Sequence, residues 1–280
     1  MATTIYVNST WTNEAAFNAD LTKPEGLVWG TTAFSNYQSA YNYASVNDSS
    51  ATISIESTNT LSGNTFDNNH KNKSKLAVVI KDGASLGDAL SKWDMTYAVT
   101  VEAGGKIEMA RPKNSSVSNI HIKNTLTIGE AGEGKKTAYL DLLSDSYQDG
   151  DISLRYNGKI VANNAVIDVQ DLDAQGKMTL TNTTLNVEGA LATTSSAAYK
   201  NVFTNCTINV AGTQITGGLS DFSGGDSNQL GLLDIIDTTI TFKAGAAVKV
   251  AGNVTMTGTS TLDVDALTIN SGKLECISTK

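Results

Sequence analysis

Three carboxylates crowd the segment Asp145-Ser-Tyr-Gln-Asp-Gly-Asp151, and calcium is the ion that Asp145, Asp149 and Asp151 invite, because it takes oxygen ligands. The loop departs from an EF-hand, with Tyr156 where the bidentate glutamate would stand. Gly129-Glu-Ala-Gly-Glu-Gly-Lys135 has phosphate-loop spacing, but Lys136 replaces the hydroxyl residue that would hold magnesium and no amphipathic helix follows, so it reads as a solvated turn. Of the two histidines, His70 sits in a polar loop and His121 alternates with Ile120 and Ile122, which points it to solvent. A Ser-His-Asp triad is recognised by geometry, so composition supplies its parts and not their arrangement. No His/Cys cluster has metal-ligand spacing, and calcium is the only cofactor the residues suggest.

The elements that would position such side chains are announced by a recurring phrase. Asn164-Ala-Val-Ile-Asp-Val169 returns as Asn182-Thr-Thr-Leu-Asn-Val187, Asn205-Cys-Thr-Ile-Asn-Val210, Asp237-Thr-Thr-Ile-Thr-Phe242 and Thr259-Ser-Thr-Leu-Asp-Val264. Alternation at period two marks strands with one buried face, and repetition means stacked units that bury those faces on their neighbours. The second aliphatics, Ile167, Leu185, Ile208, Ile240 and Leu262, lie 18, 23, 32 and 22 residues apart, which fits coils of a three-sided solenoid with one insertion near residues 217–228. In register, Ile167 through Leu262 and Val169, Val187, Val210, Phe242 and Val264 form two inward columns. The residues between them point out. They give a threonine ladder, Thr184, Thr207, Thr239 and Thr261, beside a row of Asp168, Asn186, Asn209, Thr241 and Asp263. Thr184, Asn186, Thr207, Asn209, Thr239 and Thr241 are the candidate binding wall, with Asp221 and Asp226 added from the inserted loop.

Composition narrows the partners. A net charge of -8, with Arg111 and Arg155 the only arginines, disfavours nucleic acid and anionic membranes. No apolar run is long enough to span a bilayer. Met1-Ala-Thr-Thr-Ile5 is not a signal peptide, and the last strand phrase, Lys273-Leu-Glu-Cys-Ile277, has no cap behind it, so we expect a piece of a longer chain. The uncapped end predicts self-association through residues 262–277. Cys206 and Cys276, about three coils apart, are expected to be free and buried, beyond disulfide reach.

The first segment reads as a lid. Thr4-Ile-Tyr-Val-Asn8 is a strand, and the spacing predicts a helix over 33–44 with Phe34, Tyr37, Ala40, Tyr41 and Ala44 on one face and Thr32 or Ser35 as cap. Trp11, Trp29, Tyr37, Tyr41, Tyr43 and Trp93 supply bulk under it rather than a sugar platform. Residues 86–93 are read as a short helix or a looped turn. The division is an N-terminal cap with first turns over 1–75 and continuous repeats over 76–280.

Ile5-Tyr-Val-Asn-Ser9, Gly30-Thr-Thr-Ala-Phe34 and Gln38-Ser-Ala-Tyr-Asn-Tyr-Ala44 together resemble the opening of pectin-lyase-like parallel β-helix proteins, in particular bacterial surface proteins of the autotransporter-passenger kind. The resemblance covers about 45 residues. It implies an all-β, right-handed parallel β-helix, secreted and displayed at a cell surface, where it meets a host or cell-surface glycan or protein. No transmembrane barrel follows within residue 280. The expected function is a non-catalytic stalk and adhesive surface; the alternative is a polysaccharide lyase or glycoside hydrolase. Hydrolases require clustered carboxylates, and lyases require calcium with a basic proton acceptor. Asp168, with Asn186 and Asn209 above it, does not make such a cluster.

Overall fold

The computed structural model describes residues 3–48, 50–60, 75–87, 92–108, 118–143, 150–214 and 227–277. Short strands stack into three all-parallel sheets: sheet A with twelve strands, sheet B with nine and sheet C with eight. The chain is a right-handed parallel β-helix, and each coil visits A, B and C in turn. One coil shows the logic: Lys159–Asn163 lies in A, Ala165–Val169 in B and Leu172–Ala174 in C, and Lys177–Thr181 returns to A one strand further on.

The corner from A to B explains why the repeated phrase opens on Asn or Asp. Asn164, Asn182, Asn205 and Asp237 all have φ between 47° and 51°, the left-handed region that short polar side chains tolerate best after glycine. Each of these residues is a bend between two strands. The residue after it, Ala165, Thr183, Cys206 or Thr238, turns into the core. The bends also tie coil to coil. The amides of Asn164, Asn182 and Asn205 donate to the carbonyls of Thr181, Thr204 and Ile236, and Asn205 Nδ2 reaches Asn182 Oδ1 at 2.6 Å. In the fifth phrase the corner has one extra residue, and Gly258 takes the positive φ.

Register follows as the spacing predicts. Ile167, Leu185, Ile208, Ile240 and Leu262 pair in sequence across sheet B, and Val169, Val187, Val210 and Phe242 form the second inward column. Through Ile240 and Phe242 these side chains are buried, whereas Leu262 and Val264 in the last coil are only half-buried. Each buried aliphatic contributes about 1.5 to 3 kcal/mol.

The helix is shorter than the spacing predicts. Ala33–Phe34 is a strand paired with Thr4–Val7, and the helix runs from Tyr37–Asn47 with Asn36, not Thr32 or Ser35, accepting the capping bond from the Ser39 amide. Phe34 therefore packs from a strand. Pairing with Thr4–Val7 gives its backbone a sheet ladder, which a helical start at Ala33 would forfeit. Tyr37, Ala40, Tyr41 and Ala44 still form the buried face and join the solenoid core. A second helix, Glu14–Ala19, carries Phe17 onto Trp11 and Trp29. At the two ends of the 86–93 segment, Ser85–Gly87 and Lys92–Met95 are strands of B and C, and residues 88–91, where the short helix or looped turn is expected, lie outside the described residues. Cys206 is buried as expected, but Cys276 is exposed, on a strand that pairs, among the described residues, with Asn253–Thr257 alone. No described helix is long and apolar enough to cross a membrane.

Under the lid, the Tyr37 and Tyr97 hydroxyls meet at 2.9 Å, and Trp93 Nε1 donates to Tyr97 at 3.1 Å. Burial raises both phenols above their ordinary range. A phenol whose folded pKa is raised contributes stability that is complete below the unfolded value, near 10, and declines as pH rises above it. An alkaline titration followed by tyrosinate absorbance should show two phenols that ionise only with loss of the fold; free ionisation of all tyrosines near pH 10 in the folded state would contradict this. Replacing Ile208 by Asp should cost on the order of 4 kcal/mol by burying an unpaired carboxyl, read as collapse of the thermal transition.

Candidate functional site

The sheet B wall stands where register puts it. Thr184, Thr207, Thr239 and Thr261 are neighbours on four coils, and Asp168, Asn186, Asn209, Thr241 and Asp263 run beside them. The second row is knitted together: Asn186 Nδ2 donates to Asp168 Oδ1 at 2.6 Å, and Asn209 Nδ2 to Asn186 Oδ1 at 2.8 Å. Thr261 Oγ1 lies 3.1 Å from Thr239 Oγ1. The wall is thus a preset lattice of hydroxyls and amides, half-buried to exposed, with one direction of each amide bond already fixed. Asp221 and Asp226 lie outside the described residues, as do Asp145, Asp149 and His70.

Asp151, the remaining calcium candidate, is fully buried at the start of a sheet C strand, and its Oδ1 accepts from the Asp171 amide at 3.2 Å. Asp171 does the same one coil on, accepting from the Ala190 amide at 2.5 Å. Both carboxylates hold the next coil's backbone. Among the described residues no group of three or more His, Cys, Asp or Glu is placed to hold a metal ion.

Sheet C brings together residues that sequence reasoning left apart. Asp94, His121, Ser153 and Asp173 occupy one outward column on four successive strands. His121 does not face open solvent. Its side chain is only 12% exposed, and Nδ1 sits 3.2 Å from Asp94 Oδ1, which Lys123 Nζ also approaches at 3.3 Å. Gln175 Nε2 donates to Asp173 Oδ2 at 2.7 Å. The column has Ser, His and Asp in triad order, yet among the described residues no hydrogen bond joins His121 to Ser153. It holds an imidazole against a carboxylate and lacks the contact that would activate a nucleophile. The signal that finds it is the alternation of polar residues in Asn119-Ile-His121-Ile-Lys123, Asp151-Ile-Ser153-Leu-Arg155 and Asp171-Leu-Asp173-Ala-Gln175.

Of the aromatics at the head of the chain, Trp11, Tyr37, Tyr41 and Trp93 are buried, Tyr43 packs against the core and Trp29 is half-buried beside Phe17. The loop with phosphate-loop spacing leads into the strand Ala138–Asp141 rather than a helix, and Asn164 Nδ2 binds its carbonyls at Glu130 and Gly132 at 2.6 and 3.0 Å.

No protein family, curated protein or solved structure matches the chain. The parallel β-helix is therefore established by the strand pairing itself.

The two thiols differ as nucleophiles. Burial pushes the Cys206 thiol up, and its Sγ lies 3.2 Å from the Thr204 carbonyl. A thiol-reactive dye should label Cys276 at once and Cys206 only on unfolding; equal rates in the folded protein would show that the Asn205 corner opens.

Proposed function

We propose that this chain is a non-catalytic β-helical segment of a larger secreted surface protein, serving as stalk and as binding surface for a cell-surface glycan or protein. The observation that carries the reading is the sheet B wall. Three coils hold Thr184, Asn186, Thr207, Asn209, Thr239 and Thr241 in fixed register on a buried core, so a ligand meets donors and acceptors at the strand spacing of about 4.8 Å without ordering them first. Fold does not imply function, and the argument rests on this face.

The commitments of the buried acids support the stalk over the lyase or hydrolase alternative. Asp151 and Asp171 accept backbone amides, Asp173 binds Gln175, and Asp94 faces His121 and Lys123. Glycoside hydrolysis needs two carboxyls facing each other across a sugar.

The test is a panel of immobilised glycans and surface proteins, with turnover of acidic and neutral polysaccharides read in parallel as new reducing ends and unsaturated uronate absorbance, with and without calcium. Retention on the panel, lost in an Asn186→Arg, Asn209→Arg variant that melts normally, is the expected result. Product release would replace the stalk reading with the enzyme one.

A further inference from the structure

The corner from sheet C to sheet A carries a feature that composition conceals. Lys159 and Lys177 are register partners on adjacent strands, and the pairing of Thr179 with Val202 places Lys200 next in the same column. Arg155 stands just before the same corner, one residue past the strand Gly150–Leu154, and Lys123 precedes it by one coil. Five of the chain's 20 basic residues thus meet on one edge of a protein with net charge -8. Lys200 pairs with Asp234 at 2.6 Å and Lys123 with Asp94 at 3.3 Å. Arg155, Lys159 and Lys177 make no ion pair with any described residue. Like charges directly opposite on neighbouring strands destabilise a sheet, so the free protein gains nothing from stacking Lys159 on Lys177.

Two tyrosines flank this edge. Tyr156 and Tyr199, on coils two apart, meet with ring centroids 5.9 Å apart and planes inclined at 38°, and Tyr156 is 57% exposed. The intervening coil has Gly176 at this corner, its amide donating to the Leu154 carbonyl. A Cβ there would lie 2.4 Å from the Gly158 carbonyl oxygen and 2.5 Å from that of Arg155, so this coil passes its neighbour at a distance that only glycine permits. The result is a pair of facing phenol rings bordered by cations that no described residue neutralises.

We propose that this corner binds a short glycan whose rings carry fixed negative groups, carboxylate or sulfate, with one ring against Tyr156 and Tyr199 and the anions at Arg155, Lys159 and Lys177. A sugar's apolar face suits an exposed phenol ring, and unpaired cations supply the charge complementarity. Three coils span about 10 Å, enough for two or three rings. A long polyanion such as nucleic acid would run from the corner onto acidic surface, which disfavours it. The site extends the binding-surface reading above and is separate from the sheet B wall.

The experiment is calorimetric titration of the 280-residue chain with a hyaluronan hexasaccharide, its carboxyl-reduced counterpart, a heparin hexasaccharide and an oligothymidylate of equal charge. At least one acidic hexasaccharide should bind, the neutral form about tenfold more weakly or not at all, and the hyaluronan and heparin arms distinguish carboxylate from sulfate. A Lys159→Glu, Lys177→Glu variant should lose about tenfold or more, and Tyr156→Ala on the order of fivefold. Lys177→Thr should melt no lower than the parent while binding more weakly, which a structural role for the lysine would not produce. Absence of binding by both acidic sugars, equal binding of the neutral form, equal binding of the oligothymidylate, or full affinity in the charge-reversed variant would each overturn the proposal. None of these touches the wall reading, which Asn186→Arg, Asn209→Arg tests independently.

Discussion

Each time the chain passes from sheet A to sheet B in the central coils it does so through one residue in the left-handed region, at Asn164, Asn182, Asn205 and Asp237. A one-residue bend leaves no slack, so the strand after it is fixed in phase with the strand before it. Period two does the rest: a slip of one residue at such a corner would turn Ile167, Leu185 and Ile208 outward and bury Asp168, Asn186 and Asn209. The side-chain bond from Asn205 to Asn182 and the amide bonds to Thr181, Thr204 and Ile236 hold the corners one above another. Both the core columns and the outward rows descend from that constraint.

The three corners and faces use polar groups differently because their burial differs. On sheet B the outward row is half in water, and its amides form a chain that can still receive a ligand. On sheet C the outward column is nearly sealed, and burying Asp94, Asp171 and Asp173 without partners would be costly, so each is matched to a side chain or a backbone amide. At the C-to-A corner Lys159 and Lys177 are exposed and Arg155 is half-buried, and none of the three pairs with a described acid, which water tolerates and which leaves charge available to a ligand.

The architecture was legible from Asn164 onward because the same strand phrase returns with its inward pair and outward pair in fixed order. The head of the chain was less so. Ala33 and Phe34 fit the helical face by spacing, but strand pairing with Thr4–Val7 captured them, a tertiary contact that no local pattern reports. The candidate sites divided along the same line. The threonine and asparagine rows could be read because they lie inside the repeated phrase. The column of Asp94, His121, Ser153 and Asp173 left only the alternation of its strands as a signal, since they share no wording and its members lie 27, 32 and 20 residues apart, so nothing in the sequence set them in register. Lys159, Lys177 and Lys200 were within reach: their spacings, 18 and 23, are those of Ile167, Leu185 and Ile208, but a count of charges over the whole chain averages such a column away.

Register is the claim on which both proposed surfaces stand, and cysteine crosslinking measures it directly. In a background with Cys206→Ala and Cys276→Ser, the pair Lys159→Cys and Lys177→Cys places two thiols on adjacent strands within disulfide reach, whereas Lys159→Cys with Thr181→Cys separates them along the strand by about 13 Å. The account predicts rapid oxidation of the first pair and none of the second in the folded protein. Crosslinking of the second pair, or reduced thiols in both, would mean that the coils are not stacked in this phase and that neither the asparagine wall nor the lysine column exists as described.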